Sequence, residues 1–173
     1  MLLDNLSDLF QRGLEYAWDC EEVLSREFPK MAHAAAAPEL KRLLERHIVE
    51  NKTHIVRLER VFDLLGRSPA GEKSDPIRIV AEECDRMIRH IDHSALLDAA
   101  IIFCGNQIAH YQIGLYGSLC GFSRTLGFPE VASLLEEILG DEDKGDRDLT
   151  RLAESSINRA ASDVHNRPPF ALI

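Results

Sequence analysis

The segment ERHIVENKTHIVRLERVFDLLG, residues 45–66, carries two imidazoles and a carboxylate where an amphipathic helix normally places leucines. His47, Glu50 and His54 are spaced three and four residues apart, so they share one side of a helix. Carboxylate oxygens and imidazole nitrogens together suit iron, manganese or zinc better than calcium. We therefore interpret this segment as one wall of a candidate metal site.

Two other predicted helices interrupt their apolar stripe in the same way. Glu21 takes a leucine position in a helix predicted over about residues 4–27, and Glu142 with Asp146 does so in the last long helix. Buried carboxylates are retained chiefly when they are paired or bind a cation. Their recurrence on three helices favours a metal site. The alternative is a polar layer whose members satisfy one another by hydrogen bonds.

Apolar residues recur at steps of three and four, which predicts four long amphipathic helices and one short helix. Pro29 is predicted to end the first helix, Pro38 to open the second and Gly66 to close it. The last helix is predicted to begin near Pro129, and the short helix to span about residues 76–91. The expected fold is all-α: a four-helix bundle with one long crossover that contains a short fifth helix.

The length of 173 residues suits one domain with a sizeable core. We predict that residues 1–163 form the bundle. The last ten residues, 164–173, contain two prolines and are predicted to form an extended C-terminal tail.

Charge and composition argue against several classes of partner. With 20 Lys and Arg against 29 Asp and Glu, the formal net charge is -9, which disfavours nucleic acid and anionic membrane surfaces. The chain contains no apolar run near the ~20 residues of a membrane span, and its first residues do not resemble a signal peptide. The four cysteines form no CxxC pair. We expect a cytoplasmic protein without nucleic-acid or membrane partners.

Five segments of the chain resemble, in order, the signature segments of the YciE/YciF-like family of ferritin-like proteins. They are FPKMAHAAAAPELKRLLERHIVE, RLERVFDLLG, DAAIIF, AHYQIGLYGSL and LLEEILGDEDKGDRDLTRLAE. The resemblance covers roughly residues 6–160. It implies a ferritin-like bundle, a homodimer, a bacterial stress-associated role in the cytoplasm and a dinuclear metal site, without a defined enzymatic activity.

The resemblance also implies a set of metal ligands. Glu21 falls on the glutamate of the family's first helix, and Glu50 lies in HIVEN, which matches the family segment HLEET, with His54 one turn later. Glu142 and Asp146 lie in GDEDKGD, which matches the family segment EEEKATD. The implied metal is iron, with manganese or zinc as alternatives.

The third long helix departs from the family pattern. This chain reads AHYQ where the family reads EHYE, so Ala109 and Gln112 replace two expected carboxylates. A di-iron bundle site takes a glutamate from each of two helices and a Glu-x-x-His pair from each of the others. Two functions therefore remain open: a degenerate site for one or two metal ions, or a dimeric structural protein that binds no metal. Whether the protein is an enzyme also remains open.

Overall fold

A computed structural model of the chain describes residues 3–69 and 72–163, and the predicted tail lies outside these residues. The elements are α1 (Leu6–Ala34), α2 (Pro38–Leu64), α3 (Asp75–His90), α4 (Ser94–Thr125), α5 (Pro129–Leu152), a π-helical turn (Ala153–Ile157) and α6 (Asn158–Ser162). Helices α1, α2, α4 and α5 pack as a bundle, and α3 lies in the crossover between α2 and α4. The predicted all-α four-helix bundle, with a short helix in the crossover, is confirmed. Within the described residues no helix combines the length and apolar character needed to cross a bilayer.

The apolar core is divided into two clusters by a layer of polar side chains. One cluster includes Leu24, Leu44, Ile108 and Leu149. The other includes Leu14, Leu58, Leu119 and Ile138. On α2 and α5 the polar residues of the layer lie in sequence between members of the two clusters, and on α1 and α4 they lie where one cluster gives way to the other. The polar layer is therefore enclosed by apolar side chains on both sides along the bundle axis.

The prediction that Pro29 ends the first helix is wrong, because α1 continues through Pro29 to Ala34. A proline inside a helix removes one backbone hydrogen bond and normally ends or kinks the helix. Here Phe28 and Met31, on either side of the proline, are 7% and 0% exposed in the core. Burial of these side chains outweighs the local cost, and the last turn of α1 forms.

Buried carboxylates also anchor the two connections that lead into the bundle. Asp98 on α4 accepts hydrogen bonds from the backbone nitrogens of Ala36 and Ala37, at 2.8 and 2.9 Å, and so fixes the turn between α1 and α2. Asp19 on α1 accepts from the backbone nitrogen of Ser74, at 2.8 Å, just before α3. Backbone donors, and for Asp19 also the Arg78 guanidinium, satisfy these acids, so burial of an acid in this bundle does not by itself indicate a metal ligand.

Gly145 on α5 allows α2 to approach closely at the level of the polar layer. A Cβ atom at position 145 would lie only 2.5 Å from Cε1 of His47. The His47 ring is itself held from the other side, where it stacks on Phe28 with 5.6 Å between the ring centroids. The ring therefore has little room to move away from an added methyl group.

This contact predicts opposite effects for two glycine substitutions in the same helix. An added Cβ at Gly140 would meet no atom within 4 Å, so Gly140→Ala should raise stability by about 0.5–1 kcal/mol through helix propensity. Gly145→Ala should instead lower the thermal midpoint, because it displaces His47. Circular dichroism melts of the two variants test this. An equal rise in both would show that position 145 is not tightly packed.

Candidate metal centre

Every long helix contributes to the polar layer at the middle of the bundle. Its six members are each 6% exposed or less: Glu21 from α1, Asn51 and His54 from α2, Gln112 and Tyr116 from α4, and Glu142 from α5. Each replaces an apolar residue in the stripe of its helix, so helix packing brings all of them together. Because water is largely excluded, the charges and polar groups of this layer must be met by one another or by a bound ion.

Three members of the layer offer ligand atoms to a common point. One atom each of Glu21, His54 and Glu142 lies within 4.8 Å of the other two. Nδ1 of His54 is 3.3 Å from Oε1 of Glu142 and 3.7 Å from Oε2 of Glu21. Oxygen and nitrogen ligands lie about 2.0–2.2 Å from a zinc ion, which places them roughly 3–4 Å from one another. Both distances from Nδ1 of His54 fall in this range, and the two carboxylate oxygens lie within 4.8 Å of each other.

The orientation of the His54 ring is set from outside the layer. Its Nε2 lies 3.3 Å from Oδ2 of Asp141, and Arg57 donates to the same oxygen at 2.9 Å. Nδ1 consequently points at Glu21 and Glu142, and among the described residues it makes no well-directed hydrogen bond. A carboxylate behind the imidazole is the usual device that fixes the ring of a metal-binding histidine. The residues present therefore fit one metal ion.

The carboxylate of Glu21 is surrounded by hydrogen-bond donors on its other sides. Its Oε1 accepts from the Tyr116 hydroxyl at 2.6 Å and from Nε2 of Gln112 at 3.0 Å. Its Oε2 accepts from Nδ2 of Asn51 at 2.7 Å. The same Gln112 nitrogen donates to Oε1 of Glu142 at 2.8 Å, so one amide bridges the two carboxylates. An amide N–H cannot bind a cation, and these residues do not fit a second metal ion.

The carboxylates also change the acidity of His54. Burial alone would lower its pKa, but the nearby carboxylates of Glu142 and Glu21 outweigh burial and raise the pKa to about 10. Burial raises the pKa of Glu142, and the neighbouring His54 opposes that rise. In the metal-free protein His54 is therefore protonated at neutral pH and partly balances the carboxylates. A metal ion must displace this proton in order to bind Nδ1.

The structure brings together three of the five predicted ligands, namely Glu21, His54 and Glu142. Glu50 lies outside this group, with its Oε2 3.1 Å from Nδ1 of His47. Asp146 also lies outside the group, with its Oδ1 3.3 Å from Nε2 of the exposed His110. Metal binding by any of the five residues remains a prediction.

The hydrogen bond from Asn51 to Glu21 was not predicted, although the inward position of Asn51 is visible in the sequence. Asn51 lies seven residues from both Leu44 and Leu58, so it occupies the centre of the apolar stripe of α2. Glu50 is rotated about 100° away from Asn51 around the helix. In the family segment HLEET an acid aligns with Glu50 and a threonine aligns with Asn51, so the resemblance points to Glu50 and not to Asn51. The contribution of Tyr116 and the orienting contact of Asp141 have no comparable signal in the sequence.

The family profile described as "Domain of unknown function (DUF892)" matches residues 5–162. The chain belongs to this family. It is 29% identical over 168 residues to Protein YciF of Escherichia coli (strain K12), an alignment that covers 94% of this chain and 99% of that protein. The predicted resemblance to YciE/YciF-like proteins is thereby confirmed.

Solved structures of similar proteins share the bundle. The crystal structure of the Escherichia coli stress protein YciF matches with a TM-score of 0.86 at 27% identity, over 91% of this chain and 99% of that one. YcfI of Rhodopseudomonas palustris matches with a TM-score of 0.83 at 29% identity, over 85% and 94% of the two chains. A two-domain protein of Anabaena variabilis, with DJ-1/ThiJ/PfpI-like and ferritin-like domains, matches with a TM-score of 0.63 at 21% identity, over 98% of this chain and 41% of that one. This last match supports the fold alone.

The elevated pKa of His54 predicts how the stability of the metal-free protein depends on pH. The pKa is about 10 in the folded protein, against about 6.5 for an unfolded histidine. The stabilising contribution of protonated His54 is therefore fully present below pH ~6.5 and is lost as the pH rises towards 10. In urea unfolding with a chelator present, the difference in unfolding free energy between wild type and His54→Gln should shrink over this range.

A variant at an exposed histidine provides the control for this measurement. The His110 side chain is 71% exposed, so His110→Gln should change the free energy of unfolding little at any pH. A difference between wild type and His54→Gln that stays constant from pH 6 to 10 would contradict the proposed pairing of His54 with the carboxylates.

Proposed function

We propose that this protein is a stress-associated ferritin-like protein that binds one divalent transition-metal ion at the centre of its bundle. The ligands are Glu21, His54 and Glu142. The main support for this proposal is the position of the His54 Nδ1 atom, which faces both carboxylates. Among the described residues this atom makes no well-directed hydrogen bond. An imidazole held in this way by Asp141 has the arrangement expected of a ligand rather than of a core residue.

Charge and ligand type support a transition metal. A divalent ion neutralises the two carboxylates, which otherwise remain as a buried excess of negative charge. Calcium takes six to eight oxygen ligands, whereas two carboxylates with an imidazole suit iron, manganese or zinc. Iron is the first expectation because of the family resemblance.

The surrounding side chains would prepare this site before the ion arrives. Asp141 holds the His54 ring, and Tyr116 and Gln112 hold the Glu21 carboxylate through its Oε1 atom. The two apolar clusters limit the access of water from above and below. A bound ion would supply Lewis acidity and, in the case of iron or manganese, electron transfer.

The same contacts argue for one ion rather than two. The bridging amide of Gln112 lies against both carboxylates, and Ala109 offers no ligand. Asn51 fills a coordination position of Glu21 Oε2 with an N–H group. A second cation would have to replace these donors without gaining a carboxylate.

Metal binding can be measured directly on wild type and on matched variants. Metal-free protein is loaded with ferrous iron, manganese or zinc, desalted and analysed for metal by mass spectrometry. We expect one ion per chain in wild type, severe loss in Glu21→Gln and Glu142→Gln, and a loss of affinity of about 10–100-fold in Asp141→Asn.

Glu50→Gln and Asp146→Asn are the controls, since both residues lie outside the three-residue group. They should retain the ion. The proposed site would be refuted if wild-type protein bound less than one ion per five chains with each of the three metals. Equal loss of metal in the control variants would also refute it.

A metal-free structural bundle is the second candidate function. It is favoured by the Gln112 amide, which satisfies both carboxylates, and by protonated His54, which partly balances their charge. In this case the polar layer serves only to fix the register of the helices.

A chelator distinguishes the two candidates. An ion present at 100 times its dissociation constant stabilises the folded state by about 2.7 kcal/mol. We expect chelator to lower the thermal midpoint of metal-loaded wild type and to leave that of Glu21→Leu unchanged. If wild type melts at the same temperature with and without chelator, the structural candidate is correct.

We extend three properties implied by the family resemblance to this chain as further proposals. They are a role in the stress response, as the name of the Escherichia coli relative states for that protein, a cytoplasmic location and a homodimer. Sedimentation equilibrium tests the dimer, for which we expect twice the chain mass. A single-chain mass at micromolar concentration would contradict it.

A further inference from the structure

A small cavity lies beside the polar layer and is lined by residues of α1, α2, α4 and α5. Its volume is about 10 Å³, and apolar side chains form most of its walls. Three polar residues, His47, Gln112 and Glu142, also line it. A cavity of about 10–15 Å³ is the smallest that holds one water molecule.

Two buried acceptor atoms belong to residues that line this cavity. Oε1 of Gln112 and Nε2 of His47 have no hydrogen-bond partner among the described residues. Gln112 is 0% exposed and His47 is 8% exposed, so bulk water does not satisfy them. Buried polar atoms of native proteins nearly always have a partner, and an ordered water is a common one.

The neighbours of these two atoms determine that both act as acceptors. Nε2 of Gln112 donates to Glu21 and Glu142, so turning the amide over would place its oxygen against two carboxylates. Nδ1 of His47 lies 3.1 Å from Oε2 of Glu50, and this carboxylate favours the ring tautomer that has its hydrogen on Nδ1. The other ring nitrogen of His47 is then left with a lone pair.

We propose that the cavity is a binding site for one water molecule, which donates one hydrogen to Oε1 of Gln112 and the other to Nε2 of His47. Water is the smallest ligand that supplies two donors, and the volume leaves no room for a larger one. Ala109 lines the same cavity, and its small side chain leaves the space that the water fills.

This water site does not depend on the proposed metal site. It also assigns a role to His47 and Glu50, which are not among the three proposed metal ligands. The water, His47 and Glu50 form a hydrogen-bonded chain from the buried Gln112 to the surface of α2. The Glu50 side chain, at its outer end, is 22% exposed. The inward position of His47 therefore reflects water binding rather than metal binding.

A crystal structure of chelator-treated wild-type protein at about 1.5 Å resolution tests the proposal. We expect one density peak about 2.7–3.2 Å from both acceptor atoms, without anomalous scattering at the iron, manganese or zinc edge. A cavity without a peak, or a peak with anomalous signal, would overturn the proposal. Because chelator is present throughout, failure here is distinct from failure of the metal site.

Discussion

The carboxylate of Glu21 is the constraint on which the rest of the bundle depends. It is 0% exposed and lies between two apolar clusters, where an unpaired charge costs several kcal/mol. Donors from α2 and α4 meet it, namely Asn51, Gln112 and Tyr116, and Gln112 links it to Glu142 on α5. One side chain thereby sets the register of all four long helices, because a shift of any of them would break a bond to a buried charge.

The same donors determine what the layer can bind. Amide nitrogens at Asn51 and Gln112 occupy positions around the carboxylates that a second cation would need. The remaining opening faces Nδ1 of His54, which Asp141 and Arg57 hold in place. Amides at these two positions leave less negative charge around the carboxylates than acids would. One divalent ion balances the charge of Glu21 and Glu142, whereas a proton on His54 balances only half of it.

Hydrophobic periodicity was sufficient to predict the fold and the helices that carry the site. It also placed Glu21, His54 and Glu142 on the inner faces of their helices. Spacing alone could not decide whether Glu50 or Asn51 faces Glu21. Steps of three and four residues define a broad side of a helix, and they do not identify the residue nearest a neighbouring helix. The continuation of α1 past Pro29 and the orienting contact of Asp141 depend on tertiary packing, which local sequence does not encode.

We expect one cation to replace the proton of His54 between the two carboxylates. Anomalous diffraction from crystals of the protein reconstituted with iron, manganese or zinc measures this. One peak per chain is expected, about 2.0–2.2 Å from Nδ1 of His54 and from an oxygen of both Glu21 and Glu142. Two peaks per chain, or no peak between these three side chains, would contradict it.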